Sequence, residues 1–313
     1  RFQGFCQSVE VNDAPMIYCE ADEYPASTIE KRPKFHFLFP HIAVITGIAW
    51  DHINVFPTFD FYLEQFKIFI DKIEVNGILI YNDSDEILKQ LVEKNKRTDI
   101  RYQPYHLPTY FIENGKTEVL IEGEKSDPLK VFGNHNLLNL HAAYLVCKEL
   151  GVEASEFIKS ITAFAGAAKR LEVLAENSSY NIYRDFAHAP SKVTATIDAV
   201  KQQFPGRKLI AVLELHTYSS LNANFMKEYE GAMGNADEAV VFYSSHALEL
   251  KRMPALPAEK VKQGFAKDNL IVINKKEELE QFLNDQNYYN ANLLLMSRGN
   301  YDGLDIQNLT LKT

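Results

Sequence analysis

The feature that most constrains the fold is a regular alternation of apolar runs and helix-like segments from residue 180 onward. Five short apolar runs are predicted strands, at 180–185, 208–214, 238–243, 270–273 and 292–297. The segments between them have helical spacing, at 190–204, 221–234, 258–266 and 275–285. Strands joined by helical crossovers predict a doubly wound parallel sheet, whose ligands lie beyond the carboxyl ends of the strands.

The first half of the chain predicts a second α/β region. Its predicted strands are 16–21, 41–47, 77–81 and 100–102, and its predicted helices are 59–74, 84–95, 134–150 and 154–163. The helix at 59–74 follows Thr58, a good N-cap residue, and Ser84 is the predicted cap of the next helix. Aromatic and aliphatic residues recur in the first of these helices at three- and four-residue steps, which indicates a face that packs on a core.

The segment Gly115-Lys-Thr117 resembles the end of a phosphate-binding loop. The eight-residue motif requires glycine where this chain has Tyr110, and it should open a helix rather than join two strands. Asn114 and Gly115 lie between two strand-like runs, 111–113 and 116–121, and an Asn-Gly pair is typical of a tight hairpin turn. We therefore predict a hairpin at 111–121.

Composition limits the class of protein. The chain has 313 residues, of which 46% are hydrophobic and 24% charged, enough for two globular domains. The net charge of −9 argues against broad nucleic-acid binding, which needs a basic surface. No apolar run approaches the roughly 18 residues of a membrane span. We expect a soluble, cytoplasmic protein that binds neither nucleic acid nor membrane.

The termini and cysteines add two expectations. The chain begins at Arg1 without methionine and without a secretory leader, so we expect it to be a fragment. Cys6, Cys19 and Cys147 are odd in number and lack metal-ligand spacing, and the expectation is reduced thiols, with Cys19 and Cys147 buried.

Three motifs in the first 60 residues resemble the central domain of the Mur ligases, bacterial enzymes that use ATP to join amino acids or peptides to UDP-N-acetylmuramate. They are Tyr18-Cys-Glu-Ala-Asp-Glu-Tyr24, Lys31-Arg-Pro-Lys34, and Trp50-Asp-His52 followed by an aromatic-proline turn. Within the family, the resemblance is strongest to enzymes that join a murein tripeptide and next strongest to those that add L-alanine. It implies a parallel-sheet ATP-binding domain, incomplete at its N-terminus, over 1–170. A Rossmann-like acceptor-binding domain over 171–313 would follow.

The resemblance also implies site residues in the first domain. Glu20 and His52 would be catalytic residues that hold Mg²⁺, and Lys67 would be the lysine that some members carbamylate. Gly133-Asn-His-Asn-Leu-Leu-Asn139 resembles the segment that binds adenine, which makes His135, Asn136 and Asn139 candidates for ATP binding. The family's phosphate-binding loop precedes the Glu20 motif and is absent from this sequence, so we expect this chain alone to be inactive.

Further candidates lie from the domain junction onward. Arg170 and Asp185 match positions that approach ATP, and His188 matches a catalytic position in the Asp-Phe-Ala-His-Ala-Pro loop. The loops after the second and fifth strands match positions that recognise the incoming amine, with His216, Ser219, Arg298 and Asn300 as the candidate residues. Cap or hydrogen-bonding roles within the fold are the competing interpretation for strand-end polar residues.

The function implied is amide formation between UDP-N-acetylmuramate and a murein tripeptide, with ATP and Mg²⁺, in peptidoglycan recycling. One alternative is the biosynthetic addition of L-alanine to the same acceptor. The other alternative is a nucleotide- or peptide-binding module that does not catalyse. Ala189 replaces a histidine usual in the family, and Thr217 lies where tripeptide ligases usually have part of an Arg-Ser pair, so the amine substrate is less constrained than the reaction class.

Overall fold

A computed structural model describes residues 13–50 and 55–306 of the chain. It divides into two compact units. The first contains Arg1–Phe111, Glu118–Leu129 and His135–Phe164, and the second contains Ile112–Thr117, Lys130–Asn134 and Ala165–Thr313.

A three-stranded parallel sheet forms the centre of the first unit. Its strands are β1 (Ile42–Ile45), β2 (Ile78–Asn82) and β3 (Arg101–Tyr105), in that spatial order. Side chains of the central strand alternate between the two faces of the sheet, and both faces are covered by apolar residues. Leu79 and Tyr81 pack in one apolar cluster, and Ile78 and Ile80 pack in another on the opposite face. The predicted parallel sheet is confirmed.

Four helices accompany this sheet, and they are α1 (Phe59–Asp71), α2 (Glu86–Lys94), α3 (Asn134–Glu149) and α4 (Ala154–Ala163). Thr58 caps α1, as predicted, by accepting a hydrogen bond from the Phe61 amide at 3.2 Å. The predicted Ser84 cap is wrong, because Asp85 caps α2 through the Leu88 amide at 3.0 Å. Asp85 also accepts a hydrogen bond from the Ile48 amide at 2.7 Å, and this tertiary contact favours Asp85 over Ser84 as the cap.

The predicted strand at 16–21 is not formed. Residues 16–20 have no regular secondary structure and are exposed, with Ile17 90% and Tyr18 80% accessible. A strand needs a neighbouring backbone to pair with, and no backbone hydrogen bond joins 16–20 to any other described residue. Cys19 is consequently exposed rather than buried, and Cys147 is intermediate.

The predicted hairpin is present, as β4 (Thr109–Glu113) and β5 (Lys116–Ile121), with a short third strand, β6 (Glu124–Lys125). Asn114 and Gly115 have φ angles of 52° and 71°, as expected for the turn. Within the second unit, the Gln203 side chain forms two hydrogen bonds with residues at this turn. Gln203 Oε1 accepts from the Thr117 hydroxyl at 2.7 Å, and Gln203 Nε2 donates to the Gly115 carbonyl at 2.7 Å.

Gly115→Ala is expected to destabilise the protein by about 2–3 kcal/mol, because two effects add. The residue would have to keep a positive φ angle, and its Cβ would lie 2.5 Å from Cε1 of Phe204. Gly123→Ala is the matched control. Its φ angle is 87°, but no atom lies within 4 Å of the added Cβ, so a loss of only about 1 kcal/mol is expected. Urea denaturation of both variants measures the difference, and equal losses would contradict the contact with Phe204.

A six-stranded mixed sheet forms the centre of the second unit, in the order β11-β10-β9-β12-β8-β7. The strands are β7 (Glu172–Glu176), β8 (Tyr180–Asp185), β9 (Lys208–Glu214), β10 (Glu238–Phe242), β11 (Ile271–Ile273) and β12 (Ala291–Met296). The five predicted strands are confirmed and parallel. The sequence did not predict β7, which is antiparallel to β8 and broken by an irregularity between Val173 and Ala175.

The helices of this unit are α5 (Pro190–Gln203), α6 (Ser245–Leu250), α7 (Ala258–Phe265) and α8 (Lys276–Asp285). The predicted helix at 221–234 is wrong, because the segment consists of turns around a short 3₁₀ helix at Met226–Tyr229. Asn222 accepts a hydrogen bond from the Asn224 amide, which stabilises a turn, and Gly231 has a φ angle of 73°. Among the described residues, no helix has the length and apolar character needed to cross a membrane.

Candidate functional site

Three loops meet at the carboxyl edge of the second unit's sheet. They follow β8, β9 and β12, which are neighbours in the sheet, and they contain residues 185–188, 214–220 and 297–303. The Ser297 amide donates to the Asp185 carbonyl at 2.9 Å, which joins the loops after β12 and β8. Parallel strands direct their carboxyl ends to one edge, so this is where the sequence predicted ligand chemistry.

Asp185 is 3% exposed and both of its carboxylate oxygens accept hydrogen bonds. Oδ2 accepts from the Leu171 amide at 2.7 Å, and Oδ1 accepts from the Ala187 amide at 2.7 Å. The Thr196 hydroxyl lies 3.4 Å from Oδ1. The carboxylate therefore ties the segment just before β7 to the loop after β8, and its ATP-binding role remains a prediction.

Two guanidinium groups approach the ring of Phe186. The Cζ atom of Arg170 is 5.2 Å from the centre of its ring and that of Arg298 is 5.9 Å away. Within residues 13–50 and 55–306, neither arginine forms an ion pair with a carboxylate, and both are exposed. Unpaired guanidinium groups suit phosphate and carboxylate oxygens, so this cluster can bind an anion.

His188 lies on the same loop and is 6% exposed. Its ring is edge-on to Phe186, with centroids 5.6 Å apart, and its Nδ1 is 2.9 Å from the Phe186 carbonyl. The Tyr229 hydroxyl donates to its carbonyl oxygen. These contacts hold the loop after β8, and the catalytic role of His188 remains a prediction.

The loop after β9 contains two candidates for the amine substrate. His216 is about one-third exposed, and its Nδ1 atom is buried and faces Glu214 at 3.7 Å from Oε1. Ser219 is 6% exposed, in a turn held by hydrogen bonds between Thr217 and Ser220.

The loop after β12 contains the other two candidates for contact with the amine substrate, Arg298 and Asn300, which are both exposed. The Asn300 side chain caps a 3₁₀ turn by accepting from the Gly303 amide at 3.3 Å. Tyr301 and Asp302 in that turn have φ angles of 53° and 56°, a strained conformation for residues other than glycine.

Glu214 is a site residue that the sequence interpretation missed. It ends β9 and is 2% exposed, and its Oε2 accepts hydrogen bonds from the Ser297 hydroxyl and, at 3.0 Å, from the Tyr301 amide. Burial raises the pKa of the Tyr301 phenol well above its ordinary value, and the charges of Glu214 and Asp185 act in the same direction. A charged residue at the end of the apolar run 209–213 was a signal that could have identified Glu214.

The metal and lysine candidates lie in the first unit. Glu20 is exposed, and His52 lies outside the described residues. Lys67, on α1, is 3.6 Å from a carboxylate oxygen of Glu64, and both side chains are about half exposed. No cluster of three or more metal-ligating side chains occurs in 13–50 and 55–306. Magnesium commonly takes one or two carboxylates, with water and phosphate oxygens as its other ligands, so Glu20 fits it as one ligand.

The adenine candidates are on the first turns of α3. Gly133 precedes the helix with a φ angle of 87°, and the first turn contains no acidic residue. His135 and Asn136 are partly buried, and Asn139 is exposed one turn later, on the same side as Asn136. Amide side chains offer a donor and an acceptor together, and the helix start bears positive partial charge, so these residues fit a nucleotide.

The structure thus brings several of the predicted residues together on the second unit. The candidates in the segment before β7 and in the three loops at one sheet edge are Arg170, Asp185, His188, His216, Ser219, Arg298 and Asn300. Glu20 and Lys67 both lie in the first unit, where Lys67 is paired with Glu64.

Two family profiles match the chain. The profile described as "Mur ligase middle domain" matches residues 5–147, and "Mur ligase, glutamate ligase domain" matches residues 169–299. Among solved structures, a MurF ligase from Thermotoga maritima in complex with ADP has a TM-score of 0.62 at 19% identity. That match covers 82% of this chain and 58% of the other.

Curated relatives include two kinds of enzyme. UDP-N-acetylmuramate–L-alanine ligase of Saccharopolyspora erythraea is 30% identical over 242 residues, covering 73% of this chain and 48% of the relative. UDP-N-acetylmuramate–L-alanyl-gamma-D-glutamyl-meso-2,6-diaminoheptandioate ligase of Escherichia coli is 26% identical over 253 residues, covering 78% and 55%. The chain thus spans about half the length of the curated relatives it matches. From the two profiles, the relatives and the fold, we conclude that this chain belongs to the Mur ligase family and contains its middle and C-terminal domains.

Proposed function

We propose that the whole protein is an ATP-dependent ligase that joins a murein tripeptide to UDP-N-acetylmuramate. One observation carries the proposal for this chain. At one edge of the second unit's sheet, two guanidinium groups without carboxylate partners among the described residues lie near Phe186, and a histidine lies near a buried glutamate. Such an edge offers cations for anionic substrates and a base for an amine.

The proposed reaction explains why these groups are needed. A carboxylate oxygen is a poor leaving group, so the γ-phosphoryl group of ATP is first transferred to the carboxylate of UDP-N-acetylmuramate. The peptide amine attacks the resulting acyl phosphate, the C–N bond forms, and phosphate leaves. The protein contributes mainly by positioning the reactants and by stabilising negative charge.

We assign roles on this basis. Arg170 binds phosphate oxygens, while His135, Asn136 and Asn139 bind adenine, with Asp185 holding the junction next to Arg170. His188 belongs to the catalytic loop, and Lys67 takes part if it is carbamylated. Glu20 holds Mg²⁺, with His52 as its second ligand. The metal would neutralise charge on the phosphates.

The amine substrate is the least constrained part of the proposal. The curated relatives include ligases named for L-alanine and ligases named for the tripeptide. We favour the tripeptide, with His216, Ser219, Arg298 and Asn300 as its contacts, and L-alanine is the second candidate. A non-catalytic binding module is the third.

We also propose that the first functional domain comprises 1–170 and the acceptor-binding domain 171–313. The expected cytoplasmic location and the place in peptidoglycan recycling belong to the same proposal.

The test is phosphate release by the whole protein with ATP, Mg²⁺ and UDP-N-acetylmuramate, and with either L-alanyl-γ-D-glutamyl-meso-diaminopimelate or L-alanine. Release with the tripeptide, abolished when UDP-N-acetylmuramate is omitted, is the expected result. Release with L-alanine alone would place the protein in the biosynthetic branch. No release with either, together with calorimetric binding of ADP, would favour the binding module.

A further inference from the structure

Glu214 is a buried carboxylate for which the proposed reaction has so far no role. It is the last residue of β9, and the apolar residues before it, Val212 and Leu213, are fully buried. In the described part of the chain, no lysine or arginine forms an ion pair with it. A buried carboxylate is costly unless hydrogen bonds or a nearby positive charge compensate its desolvation.

One oxygen of Glu214 holds the loop after β12. Oε2 accepts hydrogen bonds from the Ser297 hydroxyl and the Tyr301 amide. Tyr301 has a φ angle of 53°, and its phenol donates to the Val212 carbonyl at 3.2 Å. Strained backbone persists only where surrounding contacts enforce it, so Glu214 helps to keep this loop in one conformation.

The other oxygen faces His216. Oε1 lies 3.7 Å from Nδ1, which is buried and has no hydrogen-bond partner. Gly299 lies against the same end of the ring, because a Cβ at this position would be 2.8 Å from the same nitrogen and 2.7 Å from Glu214 Oε2. Nδ1 is therefore enclosed between the carboxylate and Gly299, which leaves Nε2 as the nitrogen that a substrate can reach.

Amide formation requires a base at this stage. An amine of ordinary pKa arrives as an ammonium ion, which has no lone pair to attack a carbonyl carbon. One N–H bond must break, and its proton must go to a protein group before or during the attack.

We propose that Glu214 is a positioning residue for the amine substrate, which holds His216 so that its Nε2 takes the proton from the incoming ammonium group. This inference rests on the proposed ligase function. The imidazole takes the first proton and becomes an imidazolium, and the neutral amine forms the C–N bond with the acyl phosphate. Phosphate departs with the electrons of the C–O bond and takes the second N–H proton, which leaves the neutral amide. The Glu214 carboxylate stabilises the imidazolium, as an oriented carboxylate does in other histidine bases.

Glu214→Gln in the whole protein is the principal variant. It keeps a carbonyl oxygen that can accept from Ser297 and Tyr301 but removes the charge near His216. The matched control is Glu238→Gln, at the amino end of β10, whose carboxylate pairs with Lys208 at 2.6 Å. Both variants remove one carboxylate from the same sheet.

The kinetic expectation is a loss of about 100-fold in kcat for Glu214→Gln, with KM for ATP unchanged. Glu238→Gln should match the wild-type protein in both measurements.

A double variant separates positioning from support of the loop. If Glu214 acts through His216, Glu214→Gln combined with His216→Gln will be no slower than His216→Gln alone. Losses that multiply would overturn the proposal, as would wild-type kcat in Glu214→Gln.

An NMR spectrum of the His216 ring at fixed pH needs no turnover, so it distinguishes failure of this inference from failure of the proposed function. The ring ¹⁵N chemical shifts should change in Glu214→Gln and should be the same in the wild-type and Glu238→Gln proteins, because Glu214 lies 3.7 Å from Nδ1. Unchanged shifts in Glu214→Gln would overturn the contact even in an active ligase. If the wild-type protein turns over neither amine substrate, the role in proton transfer fails with the ligase proposal.

Discussion

Asp185→Ala is expected to lower the free energy of unfolding of the second unit by about 3 kcal/mol. The substitution removes the acceptor of the Leu171 and Ala187 amides, which both bond to the carboxylate at 2.7 Å. Asp185 is 3% exposed, so water has little access to the two amides in its place. Scanning calorimetry should show a fall in the transition temperature of roughly 5–10 °C.

Asp198→Ala is the control for the loss of an aspartate in the same unit. Asp198 lies on α5 and is partly exposed, where it accepts a hydrogen bond from Asn235 at 2.7 Å. Its loss should cost less than about 1 kcal/mol. Faster hydrogen exchange confined to the Leu171 and Ala187 amides in Asp185→Ala would support the assigned contacts. A transition temperature equal to that of Asp198→Ala would contradict them.

Arg170→Ala is expected to lower kcat/KM for ATP by about 100-fold or more in the whole protein. The Arg170 guanidinium lies near Phe186 and has no carboxylate partner among the described residues, so it is available to phosphate oxygens. Bidentate binding of phosphate strengthens as charge develops in the transition state. Steady-state rates of phosphate release at varied ATP concentration measure the loss.

Two further variants make this result specific. Lys169 is the neighbouring basic residue and is also exposed. Its removal in Lys169→Ala should change kcat/KM for ATP only slightly. Arg298→Ala removes the second guanidinium at Phe186 and is expected to raise KM for the amine substrate rather than for ATP. An equal loss for Lys169→Ala and Arg170→Ala would show that general positive charge, not the position of Arg170, is what ATP requires.

Much of the second unit could be predicted from the sequence. All five parallel strands were predicted within one residue at each end, because their buried apolar runs are bounded by polar turns. The Asn114-Gly115 turn and the Thr58 cap were also predicted, because each is a local contact between residues close in sequence. The candidate loops were found for the same reason, as polar residues that follow buried strands.

The errors have both tertiary and local causes. The run 16–21 has strand-like composition, yet it has no neighbouring backbone among the described residues with which to pair. The segment 221–234 has helix-like spacing, but its asparagine turn and Gly231 favour turns. The strand β7 was missed because Val173 and Leu174 are adjacent apolar residues beside an irregularity, so the strand lacks the apolar-polar alternation that identifies one.

By itself the sequence determined the order of strands and helices, the parallel sheet and the motifs that resemble Mur ligases. These features depend on local periodicity and on short motifs, which a single chain displays directly. Only the tertiary structure decided that Glu214, His216, Ser297 and Tyr301 form one cluster, and that Arg170 and Arg298 share the ring of Phe186. The reason is that strand order within a sheet places distant residues side by side, and no local pattern encodes that order.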